Sequence, residues 1–330
     1  MTEIVAELSA NHLGDQARMF HLIAEAKAAG ADAVKIQLWS PQHMVRDLDY
    51  RLPDGPWAGY RLADLYEKTA TLWGWVPKIM DVARAAGIKV IASVFDEPSL
   101  EHMERHGCER YKIASLEITD LRLIRAVART EKPVIISTGG ARLTEIYSAV
   151  RAAQGADVLD LTLLRCTAGY PSTRSEARLA CLEDLHERFN CKVGVSDHSR
   201  DRAVWWTTLA LDAHMLEVHF TLARDDGGPD SHFSVEPHEL REITQMRRHI
   251  DEALGTADYE PQASERTQLK LRRGVYATRL LLPGATIRDE DIATARPQLG
   301  LGADVLDALV GRKVVKQIAA NAPITADQVD

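Results

Sequence analysis

Eight short apolar, β-branched runs alternate with amphipathic stretches along most of this chain, and that alternation constrains the fold more than any other feature. The runs begin at Ile4 (IVAELS), Ala33 (AVKIQL), Lys89 (KVIASVF), Arg110 (RYKIAS), Pro133 (PVIIST), Asp160 (DLTLLRC), Lys192 (KVGVSD) and Met215 (MLEVHF). Between them lie helix-period segments such as RMFHLIAEAKAAG and EDLHERF. Strands buried on both faces and separated by helices predict a parallel sheet with helices outside it. Eight such units are what a closed (β/α)8 barrel needs, and a barrel of about 250 residues leaves room in a 330-residue chain for one small appendage. An open doubly wound sheet is the alternative. It would leave edge strands, and the first strand–helix turn lacks a GxGxxG fingerprint.

The expected division is a catalytic barrel over residues 1–256, a polar linker over 257–270 and a small β-rich module over 271–330. The linker contains TADYEPQASERTQ, and the module contains GVYATRLLL, the turn PGAT and IRDEDI. A long insertion after the second strand, Pro41 to Tyr66, reads either as a binding loop or as a surface excursion packed by Trp57 and Tyr60.

The formal net charge of −8 argues against nucleic acid or an anionic membrane as partner. An anionic substrate would need locally placed cations. Four cysteines without CxxC spacing suggest reduced thiols, and no run has membrane-spanning length, so the expected location is the cytoplasm.

In such a barrel the chemistry lies at the carboxyl ends of the strands. Polar residues gather there: Glu7, Lys35, Gln37, Ser93, Asp96, Lys112, Ser115, Glu117, Ser137, Thr138, Thr167 and Tyr170. Two lysines within apolar strands predict an anion site, with Ser115, Ser137 and Ser196 as hydroxyl donors and with backbone N–H groups at Gly139 and Gly140 before the next helix. His198 follows VGVSD and His219 closes MLEVH. A right-handed crossover places both strand ends on one face, so the two imidazoles can converge on a divalent metal. An anion pocket beside a two-histidine site and a carboxylate suggests a phosphorylated substrate reacting with a polarised carbonyl.

The segments AELSANHLGD, AGADAVKIQ, WAGYRLADLY, YKIASLEITD, PVIISTGG, VGVSDHS, HFTLARDDGGPDSHFSVEPHE and ARPQLGL occur in an order that resembles the sialic acid synthase family, its pseudaminic acid branch in particular. The terminal module is similar to the antifreeze-like SAF module of that family. The resemblance implies a transferase that condenses phosphoenolpyruvate with the open-chain aldehyde of an N-acetylated amino sugar, here a 2,4-diacetamido-2,4,6-trideoxy hexose. The products are a nonulosonic acid and phosphate. Alternative acceptors are N-acetylmannosamine or a legionaminic acid precursor, and a non-catalytic sugar-binding homologue is the reading from another class.

By the same resemblance His198 and His219 hold Mn²⁺ or Mg²⁺, while Lys35 and Lys112, with Ser115, Ser137 and Ser196, bind phosphoenolpyruvate. Glu7 and Glu117 bind substrate or move protons. Gln37 binds substrate, Tyr170 and Asp230 surround the sugar, and Arg296 reaches it from the SAF module of the partner in a domain-swapped homodimer. Val218 stands where the family carries Lys or Arg, which predicts a missing positive charge beside the metal site, and Gly140 replaces a methionine.

Overall fold

The computed structural model describes residues 1–55 and 57–330, so Pro56 of the insertion lies outside the described residues. Eight parallel strands close into a barrel: β1 (Glu3–Glu7), β2 (Ala33–Leu38), β3 (Lys89–Val94), β4 (Tyr111–Ile113), β5 (Val134–Ser137), β6 (Leu161–Cys166), β7 (Lys192–Asp197) and β8 (Met215–His219). Closure is made by β8 against β1, with Glu7 opposite His219. The alternation read in the sequence therefore yields a barrel with no open edge.

Period-two geometry sorts the strand residues into two faces. One set, including Ile4, Ala6, Val34, Ile36, Leu216 and Val218, joins the helices in the main core. The other points inward, where Val5, Ala33, Ile91, Ile135, Leu164 and Met215 form a separate apolar cluster. On β7 the inward position is Gly194, where a Cβ would come within 2.5 Å of Met215 O and 2.8 Å of a Leu164 methyl. The apolar plug is thus tight enough to exclude a side chain there, and the charged residues one step further along the strands sit on a dry base.

Val218 belongs to the outward set. The expected loss of charge beside the histidines does not arise, because this side chain faces the helices while Glu217 and His219 face the interior. Gly139 also departs from expectation. The helix that follows begins at Leu143, and the Gly139 N–H is taken by Ser115 Oγ at 3.1 Å rather than offered at a helix terminus.

The insertion after β2 carries two helices, Pro41–Met44 and Leu62–Thr69. Trp57 is half-buried against the barrel mouth, whereas Tyr60 is exposed, so only the first of the two packs.

The chain divides into two compact units, Met1–Gly255 and Thr256–Asp330. Part of the expected linker is ordered locally into the short helix Arg266–Leu269. The second unit has two antiparallel strands, β9 (Gly274–Ala277) and β10 (Ile292–Ala295), and the rest is tied by isolated bridges. Its core is formed by Val275, Leu281, Ile287, Ile292, Val314, Ile318 and Ile324. Among the described residues no helix is long and apolar enough to cross a membrane.

Candidate active site

Immediately above the apolar plug lies a layer of four ionisable side chains. Lys35 Nζ is 2.5 Å from Glu7 Oε2 and 3.6 Å from Glu217 Oε1, while Lys112 Nζ lies 2.8 Å from both Glu217 oxygens. All four residues are at most 4% exposed. Ser93 Oγ accepts from Lys35 at 3.1 Å, and Ser196 Oγ donates to Glu217 at 2.9 Å. Glu7 also receives Gln37 Nε2 at 3.0 Å and the Ser9 N–H at 2.8 Å.

Burial of this kind is tolerated because each charge faces an opposite one and further donors satisfy the remaining lone pairs. Desolvation acts on every member, and the neighbours decide the outcome. Burial pushes the Glu7 carboxyl up, only partly offset by Lys35, with Glu217 adding to the rise. Burial works the same way on Glu217, yet Lys112 and Lys35 outweigh it and hold this carboxyl well below the usual range. Lys112 is pulled down by burial. For Lys35 the two carboxylates exceed the burial effect and raise it. The lysine pair is therefore a neutralised quartet rather than a bare anion site. Its pivot is Glu217, which sequence reasoning passed over although the spacing Glu217-x-His219 on a strand places both on the inward face.

Above the quartet stand the two histidines, with ring centroids 5.1 Å apart. His198 Nδ1–H donates to Thr167 O at 2.9 Å, which fixes the ring and leaves Nε2 for a ligand. His219 Nδ1 is buried without a hydrogen-bond partner among the described residues. Burial, followed by the adjoining His198 and Lys35, holds His219 well below its usual value, so the ring is neutral and able to ligate. This donor set fits two positions of a divalent cation's shell.

A second group of donors, Glu236, His238 and Glu239, lies at the start of the helix Pro237–Leu254. Glu236 and Glu239 cap that helix and pair with Arg224, and Glu239 also pairs with Arg200, so their arrangement has a structural cause.

A cavity of about 300 Å³ opens above the histidines, lined among others by Gln37, Ser115, Glu117, Tyr170, His219 and Asp230. Ser9 Oγ donates to an Asp230 carboxylate oxygen, and burial raises this carboxyl. Glu117 sits in the turn after β4, where desolvation pushes it up to about 7. Ser137 Oγ is buried inside the barrel with no partner among the described residues.

Of the residues expected from sequence, Glu7, Lys35, Gln37, Lys112, Ser115, Glu117, Ser137, Ser196, His198, His219, Tyr170 and Asp230 all lie in or beneath this mouth. Arg296 is an exposed residue of the second unit. Asp96 has a structural use, accepting from Ser99 N as the cap of the helix Glu97–Arg105. Besides Glu217, sequence reasoning missed Cys166, whose Sγ is 4.0 Å from His198 Nδ1, and Phe233, whose ring is 4.8 Å from His219. Neither carries a spacing signal: Cys166 reaches His198 through the pairing of β6 with β7, and Phe233 reaches His219 from the loop after β8.

Comparison with known proteins agrees with this geometry. Residues 22–259 match the model of the NeuB family, and residues 272–330 match that of the SAF domain. The chain is 33% identical to the pseudaminic acid synthase of Helicobacter pylori, over 99% of this chain and 98% of that one. It is 29% identical to the N,N'-diacetyllegionaminic acid synthase of Legionella pneumophila, over 99% and 94% respectively. A crystal structure of a putative spore coat polysaccharide biosynthesis protein E from Chromobacterium violaceum superposes with a TM-score of 0.86 at 27% identity, covering 100% of both chains. With its barrel and its terminal module both matched, the chain belongs to the NeuB family and carries that family's catalytic barrel together with a SAF domain.

Proposed function

We propose that the protein condenses phosphoenolpyruvate with the open-chain aldehyde of an N-acetylated amino sugar of the 2,4-diacetamido-2,4,6-trideoxy hexose class, releasing phosphate and a nonulosonic acid. The observation that carries this reading is the buried quartet Glu7, Lys35, Lys112 and Glu217 directly beneath two converging histidines. Membership of a family of sialic, legionaminic and pseudaminic acid synthases supports the reaction class, and the similarity to the Helicobacter enzyme favours the acceptor.

In this reading Lys35 and Lys112 bind the phosphate and carboxylate of phosphoenolpyruvate, with Ser115, Ser137 and Ser196 as hydroxyl donors. Adding that anion to a neutral quartet favours protonation of Glu7, whose carboxyl burial already holds up. Glu217 keeps Lys112 in place and charged. His198 and His219 would hold Mn²⁺ or Mg²⁺, which when bound supplies Lewis-acid polarisation of the aldehyde. C3 of phosphoenolpyruvate then forms a bond to the aldehyde carbon, whose oxygen takes up a proton. Water adds to the resulting cation at C2 and loses a proton, and the C2–O bond to phosphate then breaks as the new C2 hydroxyl gives up its proton to the departing phosphate, leaving the 2-keto acid. Glu117, near neutrality on the cavity wall, is suited to move one of these protons. Gln37, Tyr170 and Asp230 contact the sugar, and Arg296 supplies a charged donor to the site of a partner subunit.

The test is phosphate release from phosphoenolpyruvate with a panel of acceptors, with products identified by mass spectrometry. Turnover is expected with the trideoxy acceptor, abolished by chelation and restored by Mn²⁺, and reduced about a thousandfold in His219→Ala. Absence of phosphate release with every acceptor overturns the proposal.

A further inference from the structure

The cavity above the histidines has two unlike sides. One is polar: Gln37 Nε2 reaches Ser9 Oγ at 3.3 Å, and Ser9 donates to Asp230. The other is aromatic and aliphatic. Tyr170 lies 4.3 Å from the His198 ring between centroids, Phe233 lies 5.0 Å from Tyr170, and Trp57 lies 5.5 Å from Tyr170 and 6.5 Å from Phe233. Leu52 and Leu62 of the insertion continue this side. Trp57 is pinned there because its indole N–H donates to Pro229 O at 3.3 Å, next to Asp230. The anchor joins the β2 insertion to the loop after β8 and leaves the ring face as apolar lining.

An acceptor whose aldehyde lies at the two histidines has only one direction in which to extend. The quartet and the apolar plug fill the barrel below, so the carbon chain runs outward along the cavity. Six carbons at about 1.5 Å per bond span roughly 6 Å from C1 to C6. Two ring-to-ring steps of 4.3 and 5.5 Å lead from His198 through Tyr170 to Trp57. The far end of the sugar can therefore reach the aromatic wall, and of its side chains Tyr170, Phe233, Trp57, Leu52 and Leu62 only Tyr170 offers a polar group, because the Trp57 N–H is already engaged.

We infer that Trp57 is a specificity residue whose indole face, with Tyr170 and Phe233, receives the deoxygenated C6 methyl end of the acceptor and disfavours a C6 hydroxyl. The inference rests on the proposed condensation and goes beyond it in assigning the acceptor's 6-deoxy preference to a residue of the insertion. A hydroxyl forced against an apolar wall loses water without gaining a partner, and such walls discriminate by up to about a hundredfold.

The experiment compares kcat/KM for two acceptors that differ only at C6, methyl against hydroxymethyl, in the wild type, Trp57→Phe and Trp57→Ala. The wild type is expected to favour the methyl acceptor by about 10- to 100-fold. Trp57→Phe should keep most of that preference, and Trp57→Ala should reduce it to within about threefold, with the KM for phosphoenolpyruvate unchanged in each. Equal loss on both acceptors, a retained preference in Trp57→Ala, or no preference in the wild type overturns the assignment while leaving the condensation intact. Failure of the wild type to release phosphate with either acceptor overturns the condensation reading and this inference with it.

Discussion

The two ends of the barrel carry the same residue types and put them to different use. At the amino-terminal end a cavity of about 340 Å³ is lined by Glu3, Asp32, Lys89, Arg110, Asp160, Lys192 and Arg247. There six of these charges form three separate pairs that in part face water: Arg110 with Glu3 at 2.6 Å, Lys192 with Asp160 at 2.7 Å, and Arg247 with Asp32. At the carboxyl end two lysines and two glutamates are almost wholly buried, and Glu217 faces both lysines. Wet pairs are cheap to make and cheap to lose. Shared buried charges are costly to assemble, and a fold keeps them where a ligand's charge has to be met.

The largest expected effect is in the quartet. Glu217→Leu leaves Lys112 unpaired in a dry site and should destabilise the protein by about 3–5 kcal/mol in urea unfolding. The double variant Lys112→Met with Glu217→Leu should recover most of that loss while phosphate release stays at least about a thousandfold down. A double variant as unstable as the single one would show the layer to be structural, and the contrast between the two ends would collapse.

A smaller effect is expected at Glu117, whose carboxyl is held up by burial to about 7, against an ordinary 4.5. The native state binds this proton more tightly than the unfolded chain does. The contribution to stability is therefore complete below about pH 4.5 and is lost as pH rises toward 7. Allowing for partial exposure, the loss is about 2 kcal/mol above that range. Glu117→Gln should accordingly be the more stable protein at pH 8 by about 2 kcal/mol and equal to the wild type at pH 4, as read from urea midpoints. If Glu117 moves a proton, the limb near pH 7 in the wild-type rate profile should also vanish in the variant.

The smallest effect belongs to the amino-terminal end. Asp160→Asn removes the partner of Lys192, both of them partly exposed, and should cost about 0–1 kcal/mol with kcat and both KM values unchanged. A loss of several kcal/mol, or of activity, would place that end of the barrel alongside the quartet.

Fold and site were legible to different depths. The alternation of apolar runs and helical segments is a local property, and it was enough for the eight strands, the barrel and the separate terminal module. Period two within a strand also told which residues share a face, so Lys35, Lys112, His198 and His219 were expected at the mouth. It did not tell which charges meet. Lys112 and Glu217 are more than a hundred residues apart, and their contact depends on closure of β8 against β1 and on the register that levels Ser196 with Glu217. The assumed bare anion site was for this reason a neutral quartet.

The sequence by itself determined the element order and the inward and outward sets of residues, because both follow from spacing along one strand. Only the tertiary structure decided that Lys112 meets Glu217, that the Gly139 N–H belongs to Ser115, and that Trp57 crosses to Pro229 to wall the cavity. Each of these rests on a partner brought near by the closed sheet, and no local pattern encodes a distance across a barrel.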